Sequence, residues 1–310
     1  MIIYDNLMLS KGESAVALGS FDGLHAGHRK VISSAVECEK EGLLPTVLTF
    51  AENPKKAAGG FGGLLLSQEE KIHLLEKMGI KQLYLLNFES VKDMAPEDFV
   101  REVLSSTCKA KKACCGFNFT FGRGGTAGSG DLRRLGRRCG IETSIAQAVL
   151  EGGTPVSSTR IRSLIKQGHT EEAARMLGRP FGYESPVIAG QKLGRKLGTP
   201  TLNQAVPADF VLPKLGVYAS SVTTGSKVYC GVTNVGVKPT VGSRAVLAET
   251  WMPHYKGPDL YGCTVRVGLL KFLRPERKFP DLERLGEEIK RNGEQAEEYF
   301  HQKFSPMRNA

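Results

Sequence analysis

The chain has 310 residues, more than one hydrophobic core usually serves, so two domains are expected. Hydrophobic residues make up 41% and charged residues 24%, the balance of a globular protein, and no apolar run approaches the roughly 20 residues of a membrane span. The net charge is +10, but Lys and Arg are dispersed, apart from Arg133-Arg134 and Arg137-Arg138, and lack interleaved aromatics; this points to polyphosphate ligands rather than nucleic acid or a membrane.

The seven cysteines include no Cys-x-x-Cys pair, which argues against a disulfide framework or a zinc knuckle. A reducing, cytoplasmic compartment is expected. The N-terminus has no basic region before its apolar residues and does not read as a signal peptide.

Residues 15–18 form a short apolar run suited to a buried strand. Gly19, Gly23 and Gly27 then crowd a turn that holds His25 and His28. Val31, Ile32, Ala35 and Val36 follow at helical spacing, and Gly42 supplies a stop. Strand, glycine-rich turn and helix start together gather free backbone N–H groups and the positive end of a helix dipole, which suits a phosphate. On residue types alone, the histidine pair also fits a surface turn or part of a metal site.

A strand is expected at 45–50, a Gly-rich loop at 57–63, a helix at 68–78 and a strand at 82–88. Pro96 opens another helix, with Phe99, Val100, Val103 and Leu104 on one face. Residues 110–116 read as a strand, 131–139 as a basic helix and 142–149 as a strand. Strands alternating with helices predict a doubly wound, Rossmann-like α/β domain with a parallel sheet. Ligands in such sheets gather at the carboxyl ends of the strands, here the segments 19–28, 50–54 and 116–122.

Two short helical patterns lie between 155 and 177, the first starting with Ser157-Ser158-Thr159-Arg160-Ile161-Arg162. Hydroxyls at a helix start are ordinary caps, yet beside two arginines they also suit a triphosphate. Gly178-Arg179-Pro180 ends the helical texture and places a domain boundary near residue 180, giving domains 1–180 and 181–310. Short β-rich runs follow at 187–188, 216–222, 227–235 and 264–272, separated by Gly and Pro turns, and predict a small antiparallel β-barrel. Leu282, Leu285, Ile289 and Ala296 recur at helical spacing in a terminal helix expected to pack on that barrel.

The second dense motif is Gly190-Gln191-Lys192-Leu193-Gly194-Arg195-Lys196-Leu197-Gly198-Thr199-Pro200-Thr201-Leu202-Asn203. It contains no Gly-Lys-Ser/Thr and is not a Walker A loop. Its glycines and cations still suit a polyphosphate, and Thr201 with Asn203 offers oxygen ligands to Mg²⁺. A plain basic turn is the alternative.

Gly19-Ser20-Phe21-Asp22-Gly23-Leu24-His25-Ala26-Gly27-His28 resembles the His-x-Gly-His nucleotidyltransferases, and within them the adenylyltransferase module of bacterial bifunctional riboflavin kinase/FAD synthetases. The segments 116–122 and 157–162 resemble further motifs of that module. The 190–203 string resembles the family's riboflavin kinase element Gly-Arg-x-Leu-Gly-x-Pro-Thr-x-Asn. Further matches follow in order: Gly216-Val217-Tyr218-Ala219, Thr233-Asn234-Val235-Gly236, Lys238-Pro239-Thr240, Glu249-Thr250, Leu260-Tyr261-Gly262 and Phe272-Leu273-Arg274-Pro275-Glu276.

The resemblance implies phosphorylation of riboflavin by ATP to FMN, then adenylylation of FMN by a second ATP to FAD and pyrophosphate. It implies that His25 and His28 are catalytic and that Gly19, Phe21, Asp22, Gly23, Ser158, Thr159, Arg160 and Arg162 bind ATP in adenylyl transfer. In the kinase it implies ATP binding by Gly190, Lys192, Gly194 and Lys196, metal binding by Thr201 and Asn203, and proton abstraction by Glu249. Asn118, Asn234 and Arg274 are expected to bind flavin. Two departures stand out: Glu52-Asn53-Pro54 replaces a Pro-His-Pro-like turn, and Glu184-Ser185-Pro186-Val187 replaces the usual Gly-x-Val that opens the kinase module. The alternatives are a single-activity or regulatory flavin-binding relative, and a nucleotidyltransferase acting on pantetheine phosphate or nicotinamide mononucleotide; the latter would lack the kinase module.

Overall fold

The computed structural model describes residues 1–54, 61–189, 199–240 and 243–304, and of 238–240 and 243–245 the backbone alone. The chain forms two compact units, Met1–Gly62 with Ser67–Ser158, and Gly63–Leu66 with Thr159–Ala310.

In the first unit, β1 (Ile2–Tyr4) leads by a loop into β2 (Ser14–Leu18), and β2, β3 (Leu44–Phe50), β4 (Gln82–Leu86) and β5 (Ala110–Gly116) are joined in turn by helical segments. The two-residue strands β6 (Thr120–Phe121) and β7 (Ala127–Gly128) pair antiparallel, and β8 (Glu142–Ala146) follows. The main sheet is parallel, in the order β1-β4-β3-β2-β5-β8. Every residue of β2 and β4 is buried, as expected for strands covered on both faces. A small hairpin of β9 (Leu150–Glu151) and β10 (Thr154–Pro155) closes the unit.

The topology positions the site. The chain runs from β2 through β3 to β4 on one side, and reaches β5 and β8 on the other. The order reverses between β2 and β5, and open α/β sheets bind ligands outside the carboxyl ends of strands at such a point. The turn from Gly19 leaves β2 there, and the segment holding Asn118 leaves β5.

Helix α1 (Ala26–Val36) buries Val31, Ile32 and Ala35, the stripe its spacing predicts. Helix α2 (Gln68–Lys77) is capped by Ser67, whose hydroxyl accepts from the Glu70 N–H. The expected helix at Pro96 is α3 (Pro96–Asp98), which continues as a π-helix over Phe99–Thr107 and buries Phe99, Val100, Val103 and Leu104. Helix α4 (Ser129–Arg138) buries Leu132 and Leu135. Strand β1 was not legible: three residues carry too little pattern. The strand expected at 82–88 ends at Leu86, because the Asn87 side chain caps the next turn by accepting from Glu89 N–H.

The second unit carries α5 (Ser158–Gln167) from its second residue on, α6 (Thr170–Leu177) and six antiparallel strands. These are β11 (Phe181–Pro186), β12 (Thr201–Ala205), β13 (Gly216–Thr224), β14 (Lys227–Thr240), β15 (Ser243–Trp251) and β16 (Thr264–Arg274), ordered β11-β16-β13-β14-β15-β12. The expected barrel is thus a curled half-barrel sheet. Its two edge strands meet through Gln204, whose Nε2 donates to the carbonyls of Ser185 (2.6 Å) and Val265 (2.8 Å). The expected strand at 187–188 lies just past the end of an earlier one: β11 stops at Pro186, and Ile188 makes only an isolated bridge to Asn203.

Helix α7 (Leu282–Phe304) packs on β13 and β14, as expected, but with a different stripe. Of Leu282, Leu285, Ile289 and Ala296 only Ala296 is buried, and Leu282 is exposed. The buried side is Glu288, Asn292, Gly293 and Ala296. Ala296 packs with Val217, Ala219, Val232 and Leu270. Two polar residues on a buried stripe are tolerable only where they are paired, and they are (see below).

Candidate functional sites in the two units

The turn after β2 is tightly built. Phe21 (φ 48°), Gly23 (φ 88°) and Leu24 (φ 44°) all take left-handed backbone, and the two non-glycines store strain there. Burial fixes them, since Phe21 and Leu24 are 1% and 2% exposed. Thr49 at the end of β3 donates its hydroxyl to the Ser20 carbonyl (3.1 Å), and Arg29 Nη1 donates to the Leu24 carbonyl (2.9 Å).

His25 is the N-cap of α1 and is buried; its Nδ1 accepts from the His28 N–H at 3.3 Å. In the neutral ring the proton therefore sits on Nε2. The two imidazoles stack, with centroids 3.6 Å apart and planes 20° from parallel. Phe21 meets His28 edge-on at 5.5 Å. Gly27 leaves room for this stack, since a Cβ there would lie 3.2 Å from the His25 ring and press on it. Among the described residues the buried Nδ1 of His28 has no hydrogen-bond partner. Burial, with added repulsion from His25, Lys71 and Arg29, holds the His28 imidazole well below its ordinary pKa, so it is neutral at pH 7.

Asp22, 3% exposed, lies beside this pair. Its carboxylate accepts from Asn53 Nδ2 at 3.5 Å and its carbonyl from the Ser158 hydroxyl at 2.9 Å. Asn53 stands in the departure segment 52–54, so the turn after β3 still reaches the site. Sequence reasoning missed Lys71, which is 9% exposed on α2. Burial pushes its ammonium down and the Asp22 carboxylate acts in the opposite direction. The signal was a lone Lys on the otherwise apolar side of an amphipathic helix.

Asn118 is exposed just beyond β5, at the switch point. Thr159, Arg160 and Arg162 lie on α5 in the second unit. Arg162 is buried, and its Nε donates to the Gly63 carbonyl at 2.7 Å.

In the second unit the pairing register assembles a row. Asn203 on β12 stands opposite Glu249 on β15, which stands opposite Asn234 on β14. Asn234 stands opposite Val217 on β13, and Val217 opposite Arg274 on β16. Four predicted kinase residues thus share one line across five strands. Residues directly opposite each other share a face, and Thr201, two residues before Asn203, shares it too. Asn203 is 6% exposed and Glu249 is half-buried. Asn234 Nδ2 donates to Glu276 Oε1 at 3.2 Å, while its buried Oδ1 has no partner among the described residues. Arg274 is engaged by α7, its Nε 3.0 Å from both Asn292 Oδ1 and Glu288 Oε1. On the other face a buried hydroxyl ladder, Ser220–Thr233–Thr250 at 2.7 and 2.8 Å, ties β13, β14 and β15 together. The expected ATP residues Gly190, Lys192, Gly194 and Lys196, and the side chains of Lys238, Pro239 and Thr240, lie outside the described residues.

A parallel α/β unit with a histidine pair at its switch point, followed by a curled sheet with a Thr-x-Asn/Glu row, defines a nucleotidyltransferase module joined to a kinase module. The FAD synthetase family model matches residues 8–160, and the riboflavin kinase model matches residues 177–300. The bifunctional riboflavin kinase/FMN adenylyltransferase of Bacillus subtilis is 31% identical over 301 residues, covering 94% of this chain and 93% of the relative. The Escherichia coli K12 protein of the same name is 31% identical over 301 residues, covering 95% and 96%. A crystal structure from Streptococcus pneumoniae, described as a macrolide-efflux protein, superposes with a TM-score of 0.87 at 29% identity, covering 96% of this chain and 98% of that one. Among the described residues of the present chain no helix is long and apolar enough to cross a membrane.

The chain belongs to the bifunctional riboflavin kinase/FMN adenylyltransferase family. It phosphorylates riboflavin with ATP to FMN and adenylylates FMN with ATP to FAD. Both modules are matched on one chain, and nothing favours a single-activity or regulatory relative.

Proposed function

We propose that the two reactions are carried by the two constellations above, with adenylyl transfer in domain 1–180 and phosphorylation in domain 181–310. The observation that supports the first assignment best is the Nδ1 of His28, unpartnered among the described residues, beside the N-terminus of α1. A buried polar atom without a partner is costly, and a ligand that satisfies it relieves that cost.

In adenylyl transfer a phosphate oxygen of FMN attacks the α-phosphorus of ATP, and pyrophosphate leaves. No covalent enzyme intermediate is involved. His25, with its proton on Nε2, and His28 act as preorganised partners of the phosphoryl oxygens as charge builds on them. Gly19, Phe21, Asp22 and Gly23 shape the turn around ATP. Ser158, Thr159, Arg160 and Arg162 hold its phosphates, and Asn118 orients flavin or ATP; these roles rest on the sequence resemblance.

In the kinase reaction Glu249 accepts the proton of the ribityl hydroxyl as that oxygen attacks the γ-phosphorus of ATP, whose bond to the bridging oxygen breaks to release ADP. Thr201 and Asn203 present a hydroxyl and an amide oxygen on one strand face, a hard-oxygen set that fits Mg²⁺. Among the described residues no group of three or more His, Cys, Asp or Glu could hold a metal ion. The two oxygens therefore suit a cation shared with ATP phosphates, the usual mode for Mg²⁺. When bound, Mg²⁺ would offset charge on those phosphates. Gly190, Lys192, Gly194 and Lys196 are proposed to cradle them, and Asn234 and Arg274 to border the flavin.

The cytoplasm is the proposed compartment. All seven cysteines are free, which suits a reducing environment. No nucleic acid or membrane partner is proposed. The assay that tests the assignments follows riboflavin, FMN and FAD separately in single-site variants. Variants of the first constellation are expected to lose FAD formation from supplied FMN alone, and variants of the second FMN formation from riboflavin alone; equal loss of both reactions in every variant would overturn the division.

A further inference from the structure

One buried carboxylate outside both constellations has an unusual set of partners. Glu288 is 6% exposed in the middle of α7. Its Oε1 lies 3.0 Å from Arg274 Nε and its Oε2 lies 2.5 Å from Arg277 Nη2. It also accepts from Arg291 Nη2 at 2.9 Å and from Asn292 Nδ2 at 3.3 Å. Asn292, 2% exposed, in turn accepts from Arg274 Nε at 3.0 Å. Arg277, half of it in solvent, and Arg291 need no such partner for their own sake. What the cluster does is tie the end of β16 and the next three residues to α7.

That tied segment contains Glu276, between the two clamped arginines. Glu276 reaches across to β14, where its Oε1 accepts from Asn234 Nδ2 at 3.2 Å. It lies against Gly236, where a Cβ would meet the Glu276 carboxylate and push it aside. Asn234 is the neighbour of Glu249 in the register row. A continuous path therefore runs from the helix to the row: Glu288 to Arg274 and Arg277, along the chain to Glu276, and on to Asn234.

We propose that Glu288 is a positioning residue of the kinase reaction: by clamping Arg274 and Arg277 to α7 it holds Glu276 on Asn234 and so fixes the flavin side of the row. This rests on the kinase reading given above. Glu288 touches no reacting atom in this account and acts through Glu276. Its carboxylate pairs Arg274, whose side chain is largely but not fully covered, and removing it leaves that guanidinium without its carboxylate partner. Without the clamp, the segment 274–277 loses its attachment to the helix, and Asn234 loses a fixed acceptor.

The test is steady-state kinetics on the full chain with Glu288→Gln, Glu288→Asp, Asn292→Ala, Glu276→Ala and the Glu276→Ala/Glu288→Gln double variant. Glu288→Gln is expected to lower kcat/KM for riboflavin about 10- to 100-fold, mostly through KM, as a misplaced site does. FAD formation from supplied FMN is expected to stay within about twofold, the ordinary size of a remote effect. Glu288→Asp restores much of the loss. Asn292→Ala, which removes one Arg274 contact and no charge, shifts KM in the same direction by less. The double variant matches Glu276→Ala alone, because both act on one contact. Normal riboflavin kinetics in Glu288→Gln, or losses that multiply in the double variant, overturn the proposal. So does a Glu288→Gln chain that loses both activities while Asn292→Ala keeps normal KM, because Glu288 then serves only the fold. Absence of FMN formation by the unmodified chain would instead overturn the underlying kinase reading.

Discussion

Asn203 and Glu249 stand directly opposite each other on β12 and β15, and Asn234 flanks Glu249 on the other side. Opposed residues in an antiparallel pair have Cβ atoms about 4.5–5.5 Å apart on one face of the sheet. An amide oxygen suited to a metal and a carboxylate suited to a proton are therefore neighbours without any loop having to bring them together.

Glu249→Gln should abolish kinase turnover and leave adenylylation of supplied FMN intact. Gln keeps the shape and an acceptor oxygen but takes no proton, and a lost general base costs about 10²–10⁴ in rate. FMN production from riboflavin and FAD production from FMN are measured in one preparation. Normal FMN production would make Glu249 a strand residue only.

His28 should titrate below its ordinary 6.5 in the free protein, because burial and repulsion from His25, Lys71 and Arg29 disfavour its charge. The sign follows: below 6.5 the unfolded chain binds the proton and the folded chain does not. The stability contribution is present above 6.5 and falls as pH drops toward the lower folded value. An NMR titration of the His28 ring checks this, and polyphosphate binding should move the midpoint upward. A midpoint at or above 6.5 in the free protein, or one that ATP leaves unmoved, contradicts the assignment.

A kinase fragment beginning at residue 159 should melt higher than one beginning at residue 181. The longer fragment keeps α6, which packs on β11 and β16 and buries Ala173, Met176 and Leu177. It also keeps the buried Thr170 hydroxyl bond to the Leu270 carbonyl at 3.1 Å. Burial of Met176 and Leu177 is worth about 2 kcal/mol each. Calorimetry on the two fragments decides it, and equal melting temperatures would show that α6 adds nothing.

Local signals made the turn after β2 readable. Strand, glycines, histidine cap and apolar stripe all lie within some two dozen residues, and each obeys short-range rules. The kinase row was readable only as motifs. Its members come from five strands, so their alignment is a matter of register, which no single stretch carries. Strand β12 was hidden because it buries polar residues: Gln204 is fully buried and spends its amide on two carbonyls of neighbouring strands. Helix α7 misled the periodicity reading for a similar reason. Glu288 and Asn292 occupy its buried stripe because arginines from β16 and the next segment meet them there, and those partners are distant in sequence. Lys71 was overlooked and Asn53 was noted only as a departure from the family turn, since their value comes from Asp22, which only the folded turn brings near.

The most direct measurement of two separate sites on one chain is complementation in solution. His28→Ala and Glu249→Gln variants are each given riboflavin and ATP, alone and mixed, and riboflavin, FMN and FAD are resolved over time. His28→Ala alone should accumulate FMN, its FAD formation reduced about 10²–10³-fold by loss of a preorganised donor. Glu249→Gln alone should leave riboflavin largely unconverted, and the mixture should make FAD from FMN released by one variant and used by the other. FAD formation at the unmodified rate by either variant alone, or a mixture that yields none, would contradict the account.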